Sequence, residues 1–131
     1  MKLEKTHILP TADSPDVLLD PDGIIKIKGR GMVVNRTRIP DQIMNWLDAY
    51  LIMPAETTYV IIAFEYLNSF STKILTATLL KISQVWNQGK NLVIRWYYEE
   101  DDDDILERGE YISEAYNIPI EFIITDDLDG C

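Results

Sequence analysis

Four side chains that can hold or carry an anion fall within five positions, Asn68, Ser69, Ser71 and Thr72, and Lys73 follows them. They lie where an apolar, strand-like run gives way to a helix-like one. Two chemistries suit such a cluster. The plain one is helix capping, in which a hydroxyl or amide oxygen accepts a bond from a free N–H of the first turn, worth ~1 kcal/mol. The other turns the same free N–H groups and the positive end of the helix dipole toward a phosphate, which gains roughly 0.3–1 kcal/mol there. One serine can serve in both states, as a neutral cap or as the carrier of a phosphoryl group. A single cap does not need four such residues. Lys73 opposes the dipole in the first turn but can accompany a phosphate.

A second unusual run is Glu99-Glu100-Asp101-Asp102-Asp103-Asp104, six acids in succession. Carboxylates favour a helix start, and a solvated face is the plain reading. Beyond that, six like charges suit a docking face for a basic partner or, less well, a divalent-cation site. A cation site needs carboxylates converging from separate elements, and the run does not have the spacing of an EF-hand loop. No metal site is expected. Trp96-Tyr97-Tyr98 precedes the acids. Trp96 is expected in the core, while Tyr97 and Tyr98, with Glu99, Glu100, Asp101 and Asp102 beside them, suit either the core edge or an aromatic–acidic contact patch. His7 and Cys131, the single residues of their types, are read as incidental.

These residues need elements to position them. Val17-Leu18-Leu19 and Ile24-Ile25-Lys26-Ile27-Lys28 flank the turn Asp20-Pro21-Asp22-Gly23 and predict a hairpin. Pro40 and Asp41 open a helix carrying Ile43, Trp46, Leu47 and Tyr50, ended by Pro54. Thr57 to Tyr66 is the strongest strand, apolar on both faces of its pleat and so expected to be central and covered on both sides. Ser69 to about Asn87 is the longest predicted helix, with Leu75, Leu79, Ile82 and Trp86 as its core stripe and Gly89 as its stop. A strand over Asn91 to Tyr98, a helix from about Asp102 to Tyr116 and a strand over Ile120 to Ile124 complete the pattern. A hairpin followed by alternating helix and strand predicts an α/β fold with a mixed sheet under helical cover. Pro10 and Pro15 leave residues 1 to about 15 loosely structured, and the acidic tail from Asp126 is expected to fray.

Composition narrows the classes. The 131 residues make one domain of ordinary size. Twelve Lys+Arg against 22 Asp+Glu give a net charge of −10, which disfavours nucleic acid and anionic membrane as partners. One cysteine and one histidine exclude an intrachain disulfide framework and argue against Cys- or His-based metal sites. No apolar run approaches the ~18 residues of a membrane span, and the start lacks a signal-peptide core. A cytoplasmic domain without a cofactor is the expectation.

Two segments carry a resemblance. Leu67-Asn68-Ser69-Phe70-Ser71, after a strand ending in Glu65-Tyr66, resembles the Tyr-x-Asn-[Thr/Ser]-Ser-Ser signature of the SiaC family of bacterial regulatory phosphoproteins. Trp96-Tyr97-Tyr98-Glu99-Glu100-Asp101-Asp102 is similar to that family's Trp-Tyr-Tyr-acidic segment. Thr11-x-x-Ser14-Pro15-x-Val17, Leu19-Asp20-Pro21, Gly29-Arg30 and Ile120-Glu121-Phe122 add to it in order, from about residue 8 to about 124. The resemblance implies a single SiaC-like domain over 1–131, with 1–7 and 126–131 flexible, and a fold like the STAS-type anti-sigma-factor antagonists. It implies phosphorylation of the hydroxyl residue after the Asn, here Ser69. It also implies a cognate serine/threonine kinase, a PP2C-type phosphatase, and a diguanylate cyclase bound by the unphosphorylated form, which links the family to cyclic-di-GMP and biofilm control. Phe70 departs from the pattern, standing where the family has a small hydroxyl residue, and Met32-Val33-Val34-Asn35 stands where the family has Pro-Glu-Asn.

The sequence thus reads as a non-enzymatic phospho-switch with Ser69 as acceptor, Asn68 as cap or loop orienter, and Ser71, Thr72 and Lys73 in support. Two other classes compete with it. One is a phosphate-independent binding module using the aromatic–acidic patch. The other is a Mg²⁺-dependent hydrolase using the acidic run, for which no nucleophile–base pair is readable.

Overall fold

In the computed structural model of the chain, residues 3–12, 14–30 and 38–131 are described. The sequence departure at Met32–Asn35 lies outside them. Six strands form one sheet in chain order: β1 (Thr6–Ile8), β2 (Asp16–Asp20), β3 (Ile24–Arg30), β4 (Thr57–Tyr66), β5 (Asn91–Tyr98) and β6 (Glu121–Ile124). Three helices connect the last four: α1 (Ile39–Tyr50), α2 (Ser69–Ile82) and α3 (Asp103–Tyr116). The first three strands are antiparallel neighbours, and from β3 to β6 every pairing is parallel. The mixed sheet under helical cover is the fold that the alternating pattern predicts.

The β2–β3 turn closes through Gly23, whose N–H donates to the Asp20 carbonyl at 2.9 Å. Its φ of +106° is a conformation that L side chains rarely adopt, and a Cβ there would stand 2.5 Å from the Thr57 carbonyl oxygen. Glycine is what lets the hairpin turn lie against the start of β4.

Three successive parallel steps in one direction, with α2 touching both α1 and α3, put all three helices on one face of the sheet. Val17, Leu19, Ile25, Ile27, Val60, Ile62, Phe64, Ile94 and Trp96 point into that layer and are buried. The expectation that β4 is covered on both sides is therefore corrected: Tyr59, on its other face, is 42% exposed. Part of that second face is crossed by the C-terminal tail, which forms a 3-10 turn (Leu128–Gly130) packed on β3 and β4. Lys26 Nζ donates to the Cys131 carbonyl and Lys28 Nζ to the Asp129 carbonyl, the latter at 2.8 Å. The sequence reading leaves this tail frayed and has no strand before Val17. The structure instead adds β1, joined to β2 also by a 2.6 Å His7 Nε2–Asp16 Oδ1 contact.

A second correction concerns the end of the long helix. After Ile82 the chain tightens into 3-10 turns over Ser83–Gln88, ended by Gly89 with φ +72°. Three residues per turn instead of 3.6 shift the buried stripe. Val85 takes the core position, and Trp86, placed on the stripe by helical spacing, is 40% exposed.

Candidate functional site

Parallel pairing of β4 with β5 brings the starts of α2 and α3 to the same edge of the sheet. At α2 the cap is settled by geometry. Asn68 has extended backbone angles, and its Oδ1 accepts from the Ser71 N–H at 2.7 Å. Ser69, the first helical residue, is exposed and is not needed as a cap. Ser71 is 2% exposed; its backbone serves the Asn68 cap, and its side chain is turned inward rather than to the surface. Thr72 donates its hydroxyl to the Asn68 carbonyl at 2.8 Å. Lys73 is exposed and does not line the cleft that Ser69 faces.

That cleft, about 330 Å³, is lined by Ser69, Thr72, Asp104, Glu107, Arg108 and Tyr111. Arg108 is the one cationic residue among the described residues lining it. Its Nη1 donates to Thr72 Oγ1 at 2.9 Å and its Nε to Asp104 Oδ2 at 3.1 Å. Arg108 and Tyr111 are functional candidates that sequence reading misses. They lie some 40 residues from Ser69 on a different helix, and only the parallel β4–β5 pairing brings them across. The sole sequence hint is the i,i+4 pair Asp104–Arg108.

The acidic run divides between tasks. Asp102 caps α3, its Oδ1 accepting from the Ile105 N–H at 3.1 Å. Asp103 and Asp104 occupy the first turn, where the dipole favours them. Glu99, Glu100 and Asp101 form an exposed turn before the helix. Among the described residues no group of three or more His, Cys, Asp or Glu side chains is placed to hold a metal ion. Trp96 is fully buried against Phe122, whereas Tyr97 and Tyr98 are half-buried. Tyr66, Phe70, Tyr111 and Tyr116 are the exposed aromatics on the β4–α2 junction and α3.

This is a one-sided α/β sheet domain whose candidate site is an exposed serine at a helix start, bordered by acids and aromatics. The chain belongs to the SiaC family of regulatory phosphoproteins, whose family model it matches over residues 8–125. Solved structures agree on the fold. The crystal structure of the diguanylate cyclase SiaD in complex with its activator SiaC from Pseudomonas aeruginosa contains a chain superposing with TM-score 0.81 at 21% identity, covering 92% of this chain and 99% of that one. Apo-SiaC from the same organism superposes with TM-score 0.79 at 21% identity, covering 92% of this chain and 98% of its own. No curated protein sequence matches the chain significantly. No helix among the described residues is long and apolar enough to cross a membrane.

Proposed function

We propose that this chain is a non-enzymatic, cytoplasmic phospho-switch: phosphorylation of Ser69 controls its binding to a signalling partner, a diguanylate cyclase by analogy with SiaC. One observation carries the reading. Asn68 does the capping, so the Ser69 hydroxyl is left exposed at the end of a central strand and can be modified without unmaking the helix. A serine/threonine kinase would transfer the γ-phosphoryl of a nucleoside triphosphate to Ser69 Oγ, the hydroxyl proton passing to the kinase. A PP2C-type phosphatase would return the serine by hydrolysis. The phosphate adds about −1.5 to −2 charge at neutral pH. Within a partner contact already rich in carboxylates, that charge brings repulsion and desolvation. In the free domain it costs little, because a helix N-terminus tolerates an anion. The asymmetry releases a partner without refolding.

The hydrolase reading is the weaker one, because three of the six acids serve the α3 cap, its first turn and the Arg108 pair, and the other three, Glu99, Glu100 and Asp101, lie together in one exposed turn. The test is the intact mass of the protein isolated from its source cell, before and after phosphatase treatment. A single phosphate mapping to Ser69, and lost in Ser69→Ala, is expected. Phosphorylation of Ser69→Ala to the same extent would overturn the site.

A further inference from the structure

We propose that Arg108 is the intramolecular receptor of the phosphoryl group on Ser69, so that modification ties α2 to α3 and frees Asp104. This rests on the reading of Ser69 as the modified residue and concerns what the modified residue then does.

Ser69 and Thr72 are three positions apart on α2 and so are neighbours on one helix face, with Cβ atoms about 5–6 Å apart. Arg108 Nη1 already bonds Thr72 Oγ1, which places the guanidinium at the next side chain along that face. Both residues line the same cleft. The guanidinium carries five N–H donors. Among the described residues two are taken, by Thr72 and by Asp104, which leaves three for a new acceptor. The present ion pair is weak: Asp104 is 67% exposed, so water screens this i,i+4 surface pair. A phosphate brings nearly twice the charge of Asp104 and three acceptor oxygens that match the planar fork. It should displace Asp104 and keep the Thr72 anchor. The other charged groups lining the cleft among the described residues, Asp104 and Glu107, are both acids, so of these Arg108 alone can neutralise the phosphate. Lys73 is in the same first turn but outside the cleft.

The test installs phosphoserine at position 69 during translation, so that no kinase is needed. The second ionisation of the phosphate is followed by ³¹P NMR in the full-length chain. Its ordinary midpoint is near pH ~6, and a guanidinium bonded to the dianion should lower it by about one pH unit. Arg108→Gln should return the midpoint toward the ordinary value, Arg108→Lys should restore part of the lowering, and Lys73→Gln, four positions on from Ser69 but solvent-exposed and outside the cleft, should change it clearly less than Arg108→Gln does. Phosphorylation should also raise the melting temperature with Arg108 present and not in Arg108→Gln. An equal midpoint in the parent and Arg108→Gln proteins would overturn the inference, as would an equal effect of Lys73→Gln. Should the unphosphorylated Arg108→Gln protein not fold, the Arg108→Lys and Lys73→Gln comparison decides alone. Absence of phosphate on Ser69 in the source cell would instead defeat the functional reading, leaving the Arg108 result standing.

Discussion

At the scale of single residues, the α2 start gives the cap to Asn68 and leaves Ser69 exposed. Asn68 holds the Ser71 N–H, so Asn68→Ala should cost ~1 kcal/mol, a fall of about 4 °C in melting temperature for a domain of this size. Ser69→Ala should melt within a degree or so of the parent, since its hydroxyl is not the cap. Paired thermal melts check both; a larger loss for Ser69→Ala than for Asn68→Ala would return the cap to Ser69. Ser69→Glu should also keep its stability while weakening partner binding by roughly 1–3 kcal/mol, because the charge is unmatched in the contact. A pull-down against the diguanylate cyclase or a co-purifying partner reads this, and equal binding by Ser69→Ala and Ser69→Glu would remove charge repulsion as the mechanism.

At the scale of elements, α3 is fitted to β5 by the absence of a side chain. A Cβ on Gly109 would stand 2.7 Å from Trp96 Cε2 and 2.7 Å from Phe122 Cε1. Alanine is favoured over glycine inside a helix by about 1 kcal/mol, but here the new methyl meets ring atoms of a fully buried indole that has nowhere to go. Overpacking of that kind costs about 1–3 kcal/mol, so Gly109→Ala should be destabilising on balance despite its better propensity. Urea unfolding reads the sign, and a more stable variant would mean that α3 can lift off β5. The shift is relevant to the cleft because Arg108 is the preceding residue. Sequence patterning reads these elements well where one pattern runs unbroken: the bounds of β4 follow from its continuous apolar run, and those of β5 and α1 from alternation, prolines and the helical stripe. It fails where the period changes. Nothing in Ser83-Gln84-Val85-Trp86 announces a switch from 3.6 to three residues per turn, and Trp86 is misplaced for that reason. β1 is invisible because three residues ahead of Pro10 are too few to show a period; its existence is decided by pairing with β2.

At the scale of the whole molecule, the sheet is built one-sided. Local sequence does not show this, because Tyr59 and Ile61 are as apolar as the residues that face the helices. The working edge is legible in part for a similar reason. Asn68 and Ser69 announce themselves by type and order, but Arg108 joins them only through the long-range parallel pairing of β4 and β5. What lies over the second face is the C-terminal tail. Lys26 and Lys28 hold its carbonyls, and Leu128 and Asp129 border a cleft of about 250 Å³ with Ala63, which is 1% exposed. Burial, the largest cause, raises the Cys131 thiol above its ordinary value; Thr125, Lys28 and Lys26 pull it down and Asp127 pushes it up. The sign follows: the part of tail docking linked to the thiol is fully present below the ordinary thiol value and falls away as pH rises through the raised one, while the lysine–carbonyl bonds remain. Deleting residues 127–131 should leave a folded domain, because the three helices and their core lie on the far face. It should lower stability by about 1–2 kcal/mol through two lost lysine–carbonyl bonds and the uncovered apolar strip. Dye binding to the exposed sheet face should rise, while affinity at the Ser69 edge should hold, because none of the described tail contacts reaches that cleft. Melts, dye fluorescence and partner titration on the shortened chain test the three parts together. An unchanged melt would mean that the tail contributes nothing as a cover, and a lost partner affinity would mean that the partner reads the second face as well as the edge.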